Sequence, residues 1–152
     1  MSRPSRLKFT VDSNYLIYLL QSWSPNHKAT VTDYERRLDR GDSLYIIPHT
    51  LLESFSVLTR MPIPLRKSAP DAHSELRKNF GEFPLIEAPG SQEVWNLLAQ
   101  LAASEIGGGR TYDCWIALTA NNAGMQEFVT WNARHFPPDR FKKLRIVEPS
   151  ER

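Results

Sequence analysis

Between Leu7 and Leu20, in LKFTVDSNYLIYLL, the apolar pattern passes from that of a buried strand to that of a helix with no turn between them. Residues 7 to 11 form a compact β-prone run, whereas Tyr15, Leu16, Leu19 and Leu20 recur at helical spacing over 13 to 22. At the joint stand Asp12, Ser13 and Asn14. A helix that starts directly from a strand needs a polar cap, and any one of these side chains would accept hydrogen bonds from its free N–H groups. Three exceed that need, so the rest of the chain must show whether Asp12 has other carboxylates near it.

The same transition recurs downstream. A helix over 27 to 40 stops at Gly41, and SLYII at 43 to 47 reads as a strand. Pro48 then opens a helix carrying Leu51, Leu52, Phe55 and Leu58 at helical spacing. RMPIPLRKSAPD, residues 60 to 71, holds three prolines and reads as a surface loop of unusual length. DAHSELRKNF reads as a short helix capped by Asp71, FPLIEA as a strand, and SQEVWNLLAQLAASEI as a strong helix ended by the glycines at 107 to 109. TYDCWIALTANNAG is a further helix, followed by strands at 127 to 130 and 144 to 147 around the loop WNARHFPPDRF. Strands alternating with helices predict a three-layer α/β/α sandwich with a mainly parallel central sheet. At 152 residues a single domain is expected, its core at about 7–147, with only the ends, 1 to 5 and 149 to 152, dispensable.

Composition narrows the setting. A lone Cys114 excludes an internal disulfide framework and cannot by itself build a zinc site. The longest nearly uncharged run, 9 to 25, is interrupted by Asp12 and diluted by polar residues, and the basic start MSRPSRLK lacks the apolar region of a signal peptide; a cytoplasmic protein is expected. The net charge of +2 neither demands nor forbids a polyanion. Basic clusters occur at Arg134, Arg140, Lys142, Lys143 and Arg145, at Arg60, Arg66 and Lys67, and at Arg36, Arg37 and Arg40. Read alone, each is an ordinary solvated face.

In a parallel α/β sheet, ligands bind beyond the carboxyl ends of the strands. Asp12, Glu53, Asp113, Thr130 and Asn132 all fall at such ends or in the helices that follow them. Singly, Glu53 is explained as an exposed helix position in the otherwise apolar TLLESFSVL, and Asp113 as an acid at the positive end of a helix dipole. Together, three acids from separated segments meet at one edge. Two unit charges about 4 Å apart cost about 4 kcal/mol at an effective dielectric near 20, so a cation is needed to offset them. Oxygen ligands without a His or Cys framework suit Mg²⁺ or Mn²⁺, which commonly completes its shell with water and phosphate oxygens. The expected substrate is a phosphodiester.

FTVDSNYLIYLL, PHTLLESFSVLTR, RTYDCWIALTA and FVTWNARHF, in this order and at these separations, resemble the PIN-domain ribonucleases over roughly residues 8 to 147. The likeness is greatest to the VapC-like toxins of type II toxin–antitoxin modules. The resemblance implies a Mg²⁺- or Mn²⁺-dependent endoribonuclease, with Asp12, Glu53 and Asp113 matching the family's metal-binding and catalytic acids. Ser13, Asn14 and Thr130 match polar residues lining the same pocket. Where a fourth acid often follows the Thr, this chain has Asn132, and His135 stands where a further Asp is frequent. Asn132 keeps an oxygen for a metal-bound water but loses a charge, which weakens any second metal. Arg110 and Arg134 are expected to face the phosphate, and Trp131 to stack on a base or pack at the rim. A cognate antitoxin wrapping the helices near residues 13 to 60 and a homodimer are the implied partners, besides RNA.

Two rival enzyme classes fail on local residues. An aspartyl-phosphate phosphatase wants a second Asp two residues after Asp12, where Asn14 stands, and GGGRT lacks the Lys-Ser/Thr of a phosphate-binding loop. The non-enzymatic alternative is a catalytically weak or inactive PIN fold that binds RNA or protein, supported by the missing fourth acid.

Overall fold

The computed structural model describes residues 6–136, 141 and 143–149. Its elements in chain order are β1 (Lys8–Val11), α1 (Ser13–Leu20), α2 (His27–Arg40), β2 (Ser43–Leu44), α3 (Pro48–Arg60), α4 (Ala69–Phe80), α5 (Ser91–Ala103), α6 (Arg110–Asn122), β3 (Glu127–Val129) and β4 (Arg145–Val147). The strands form one parallel sheet in the order β2-β1-β3-β4. Side chains alternate across a strand, so neighbouring residues feed opposite cores. Phe9, Val11 and Val129 join Tyr15, Leu16, Leu58 and Leu76 on the face covered by α1, α3 and α4. Phe128 instead joins Ile116, Ala117 and Ala120 beneath α6. Buried Cys114 looks outward from α6 onto Leu97 and Leu101 of α5. This is the expected three-layer sandwich, and no helix among the described residues is long and apolar enough to cross a membrane.

The boundaries follow local chemistry. α2 stops at Gly41, whose φ of +91° is a left-handed conformation that glycine adopts without steric cost and whose N–H caps the Arg37 and Leu38 carbonyls. Three expectations need correction. The loop after α3 is shorter than its prolines suggest, because Pro70 lies in the first turn of α4, where a missing N–H removes no helical bond. Ser68, not Asp71, is the cap: its Oγ accepts from the Asp71 N–H at 3.2 Å. FPLIEA forms no full strand but a single bridge, Leu85 to Ile46, since Pro84 has no N–H to donate and Pro89 soon follows.

The basic stretch on α2 is also not the solvated face that its composition suggests. Arg37 is 3% exposed. Its Nε donates to Asp33 at 2.9 Å, a terminal nitrogen donates to Glu127 at 2.7 Å, and the guanidinium lies 4.9 Å from the Phe9 ring centroid. The Tyr15 hydroxyl donates to Asp33 at 2.8 Å, so α1, α2 and the start of β3 are tied through one buried ionic cluster. Arg140 and Lys142 of the C-terminal basic cluster lie outside the described residues.

Candidate active site

β1 and β3 are neighbours; α1, which follows β1, packs into the core on one face of the sheet and Phe136, which follows β3, into the core on the other, so a switch point at which an α/β crevice opens lies between them. Asp12 leaves β1 there, and its N–H donates to the Val129 carbonyl at 2.9 Å. Its carboxylate has two duties. Oδ1 accepts from the Ser13 N–H at 2.8 Å and so caps α1, while Oδ2 accepts from the Thr130 hydroxyl at 2.8 Å. The cap explains why an apolar strand ends in a polar residue, but not why the acid is buried. The Asp12 carboxyl is pushed up to about 6, chiefly by burial, with the Thr130 and Ser13 bonds opposing and the charges of Glu53 and Asp113 adding to the rise.

Glu53 reaches the same place from the second turn of α3, where it accepts a hydrogen bond from the Ser13 hydroxyl. Its other oxygen lies 3.6 Å from His49 Nε2, one helical turn back. Asp113 enters from the first turn of α6 and is half-buried. Its carboxyl is also raised, first by burial and then by Glu53, with His135 and Arg110 opposing. All three acids line one crevice of about 600 Å³ together with Ser13, Asn14 and Asn132.

The other residues singled out by sequence divide by placement. Thr130 is fully buried with its hydroxyl bound to Asp12, and it accepts from the Asn132 N–H at 3.0 Å. Asn14 accepts from the Trp131 N–H at 3.3 Å, and its amide nitrogen lies 3.4 Å from Thr130 Oγ1. Arg110 is exposed at the start of α6, and Arg134 is exposed on a short 3₁₀ turn, Ala133–His135. Trp131 is pinned: its indole N–H donates to buried Thr30 at 2.9 Å and its ring meets Tyr18 edge-on. Sequence reasoning missed a stacked pair next to Glu53, His49 on Tyr112, with centroids 5.7 Å apart and planes 15° from parallel. The i, i+4 spacing of His49 and Glu53 was readable; the approach of α6 to α3 was not.

Among the described residues, no three His, Cys, Asp or Glu side chains converge tightly enough to form an all-protein metal cage. The donors nevertheless suit a hard divalent ion. They are oxygens around an open crevice, two of them with raised carboxyl pKa, and Mg²⁺ ordinarily takes only one or two carboxylates, the rest being water and substrate oxygens.

The sequence and the fold both have known counterparts. The PIN domain family model matches residues 9–137. Ribonuclease VapC27 of Mycobacterium tuberculosis is 32% identical over 136 residues, covering 90% of this chain and 91% of that protein. Ribonuclease VapC40 of the same species is 32% identical over 114 residues, 74% of this chain and 78% of the relative. Among solved structures, VapBC2 from Rickettsia felis, bound to a DNA fragment of its promoter, superposes with a TM-score of 0.69 at 16% identity, over 95% of this chain and all of that one (100%). Mycobacterium tuberculosis VapC20, described as a sarcin–ricin loop cleaving toxin, gives 0.60 at 14% identity over 84% and 92%.

Proposed function

The chain belongs to the PIN-domain family, and from that premise we propose that it is the endoribonuclease toxin of a toxin–antitoxin pair, dependent on Mg²⁺ or Mn²⁺, with Asp12, Glu53 and Asp113 as its working acids. The observation that carries this reading is the meeting of those three carboxylates, from β1, α3 and α6, in one crevice at the sheet's switch point. The named ribonuclease relatives point to RNA as the phosphodiester, and the VapBC neighbours to an antitoxin as the protein partner.

Asp12 and Asp113 would hold the ion, with Glu53 beside them and Asn132 reaching it through water. Such an ion polarises a phosphoryl oxygen and makes a bound water acidic. The chain's own residues set the geometry. Thr130 and the Ser13 N–H hold the Asp12 carboxylate in one orientation, and the Ser13 hydroxyl fixes one oxygen of Glu53 while the other lies beside His49, so that Glu53 would orient a water or join the ligand set from a held position. Asp12 must be ionised to serve as a ligand, so protonation of its raised carboxyl competes with the ion and cleavage is expected to fall on the acid side. Arg110 and Arg134, both exposed, offer positive charge to the RNA backbone.

The test is cleavage of structured RNAs by the purified chain with Mg²⁺, with Mn²⁺ and with chelator. Metal-dependent cleavage lost in Asp12→Asn is expected. Metal binding without cleavage would favour the non-cutting RNA- or protein-binding reading, for which Asn132 in place of an acid is the specific support.

A further inference from the structure

The crevice does not end at the carboxylates. It continues along α1, past Tyr18, to the turn between α1 and α2, where Trp23 and Asn26 line it opposite Met61. At 1.5 Å per residue, α1 sets this far end about 12 Å from the acids. Trp23 is 51% exposed, in contrast with pinned Trp131. The backbone beneath it is fixed: Ser24 N–H donates to the Gln21 carbonyl at 3.0 Å, and His27 N–H to the Ser24 carbonyl at 3.1 Å. Asn26 occupies the N-cap position of α2, yet its side chain makes no cap bond. An open indole face on a rigid turn and an uncommitted carboxamide thus share one channel with the proposed phosphodiester chemistry.

Unpaired bases are recognised by stacking on aromatic faces and by hydrogen bonds to their edges, and a base inside a duplex offers neither. We propose that this distal arm is a subsite for an unpaired nucleobase flanking the scissile phosphate, with Trp23 as the stacking face and Asn26 as the group that meets the base edge. The proposal rests on the RNA-cleavage reading of the carboxylates and deepens it. It moves the stacking role from Trp131 to Trp23.

Two readouts test it. With an RNA that the wild type cleaves, Trp23→Ala is expected to raise KM about tenfold while kcat changes less than twofold. Trp23→Phe should recover most of the loss, and Asn26→Ala should change the preference among bases at one flanking position. In chelator, where nothing is cut, single-stranded oligouridylate should quench tryptophan fluorescence in the wild type, duplex RNA should not, and Trp23→Phe should lose the response. An unchanged KM and unchanged quenching in the Trp23 variants would overturn the subsite, as would a defect confined to antitoxin binding. A wild type that cuts no RNA but shows Trp23-dependent quenching would instead sink the nuclease reading and leave the subsite standing.

Discussion

Two charged clusters lie at opposite ends of the sheet, one buried and one lining an open crevice, and they are handled in opposite ways. At the start of β3, Glu127 and Asp33 share the Arg37 guanidinium, with Arg36 and Arg145 at their outer oxygens at 2.7 and 3.5 Å. At the far ends of β1 and β3, Asp12, Glu53 and Asp113 share a crevice in which burial and mutual repulsion raise the Asp12 and Asp113 carboxyls. The first cluster is closed and internally neutralised. The second lacks a buried cation among the described side chains that line it, which is a stability cost where a fold optimised only for stability would supply an Arg. α1 bridges the two: its first residues serve the crevice, while Tyr15, one turn along, anchors to Asp33.

This contrast can be broken most directly at the crevice. Replacing Asp12 or Asp113 by Asn, or removing divalent metal, should lower RNA cleavage by roughly a thousandfold or more, read as initial rates on a structured RNA. Arg37→Met should leave Asp33 and Glu127 buried without their shared cation. It should destabilise the protein by about 3–5 kcal/mol in chemical denaturation, while folded molecules retain their cleavage rate.

The stability effect of Asp12→Asn should run the other way. The folded carboxyl titrates near 6 against an ordinary 3.8, so the folded state holds the proton more tightly than the unfolded chain. That preference stabilises the fold below about pH 4 and is lost as pH rises through about 6. At pH 8 in metal-free buffer, Asp12→Asn should therefore be more stable than wild type by about 1–3 kcal/mol, with the gain gone by pH 4. If the Arg37 and Asp12 variants shift stability in the same direction at pH 8, the contrast between the clusters fails. The smallest effect should come from Thr130→Val, which removes a bond that holds the Asp12 carboxyl down. The acid limb of the pH–rate profile should move upward, and Thr130→Ser should restore it.

Much of the crevice was legible because its parts are locally marked. Asp12 ends an apolar strand, Glu53 stands in an otherwise apolar helical stretch, and Asp113 falls at the start of a helix after three glycines, so each is marked locally although each also has an ordinary explanation taken alone. The closed cluster carried no such mark. Arg37 sits among Arg36 and Arg40 on a charged helix, and only the arrival of Glu127, ninety positions later, makes it a core residue. The two tryptophans show the same limit, for composition gives them equal standing while packing pins Trp131 and leaves Trp23 open.

Periodicity and caps are properties of neighbours in the chain, so the alternation of strand and helix, the stop at Gly41, the proline start of α3 and the place of Asp12 at a strand end were determined by the sequence alone. Strand order is a property of distant segments, set by which faces find complementary cores. Only the tertiary structure, by placing β3 beside β1, decided that Thr130 would hold Asp12, that Glu127 would bury Arg37, and that three acids would line one crevice with no cationic side chain among its described lining residues.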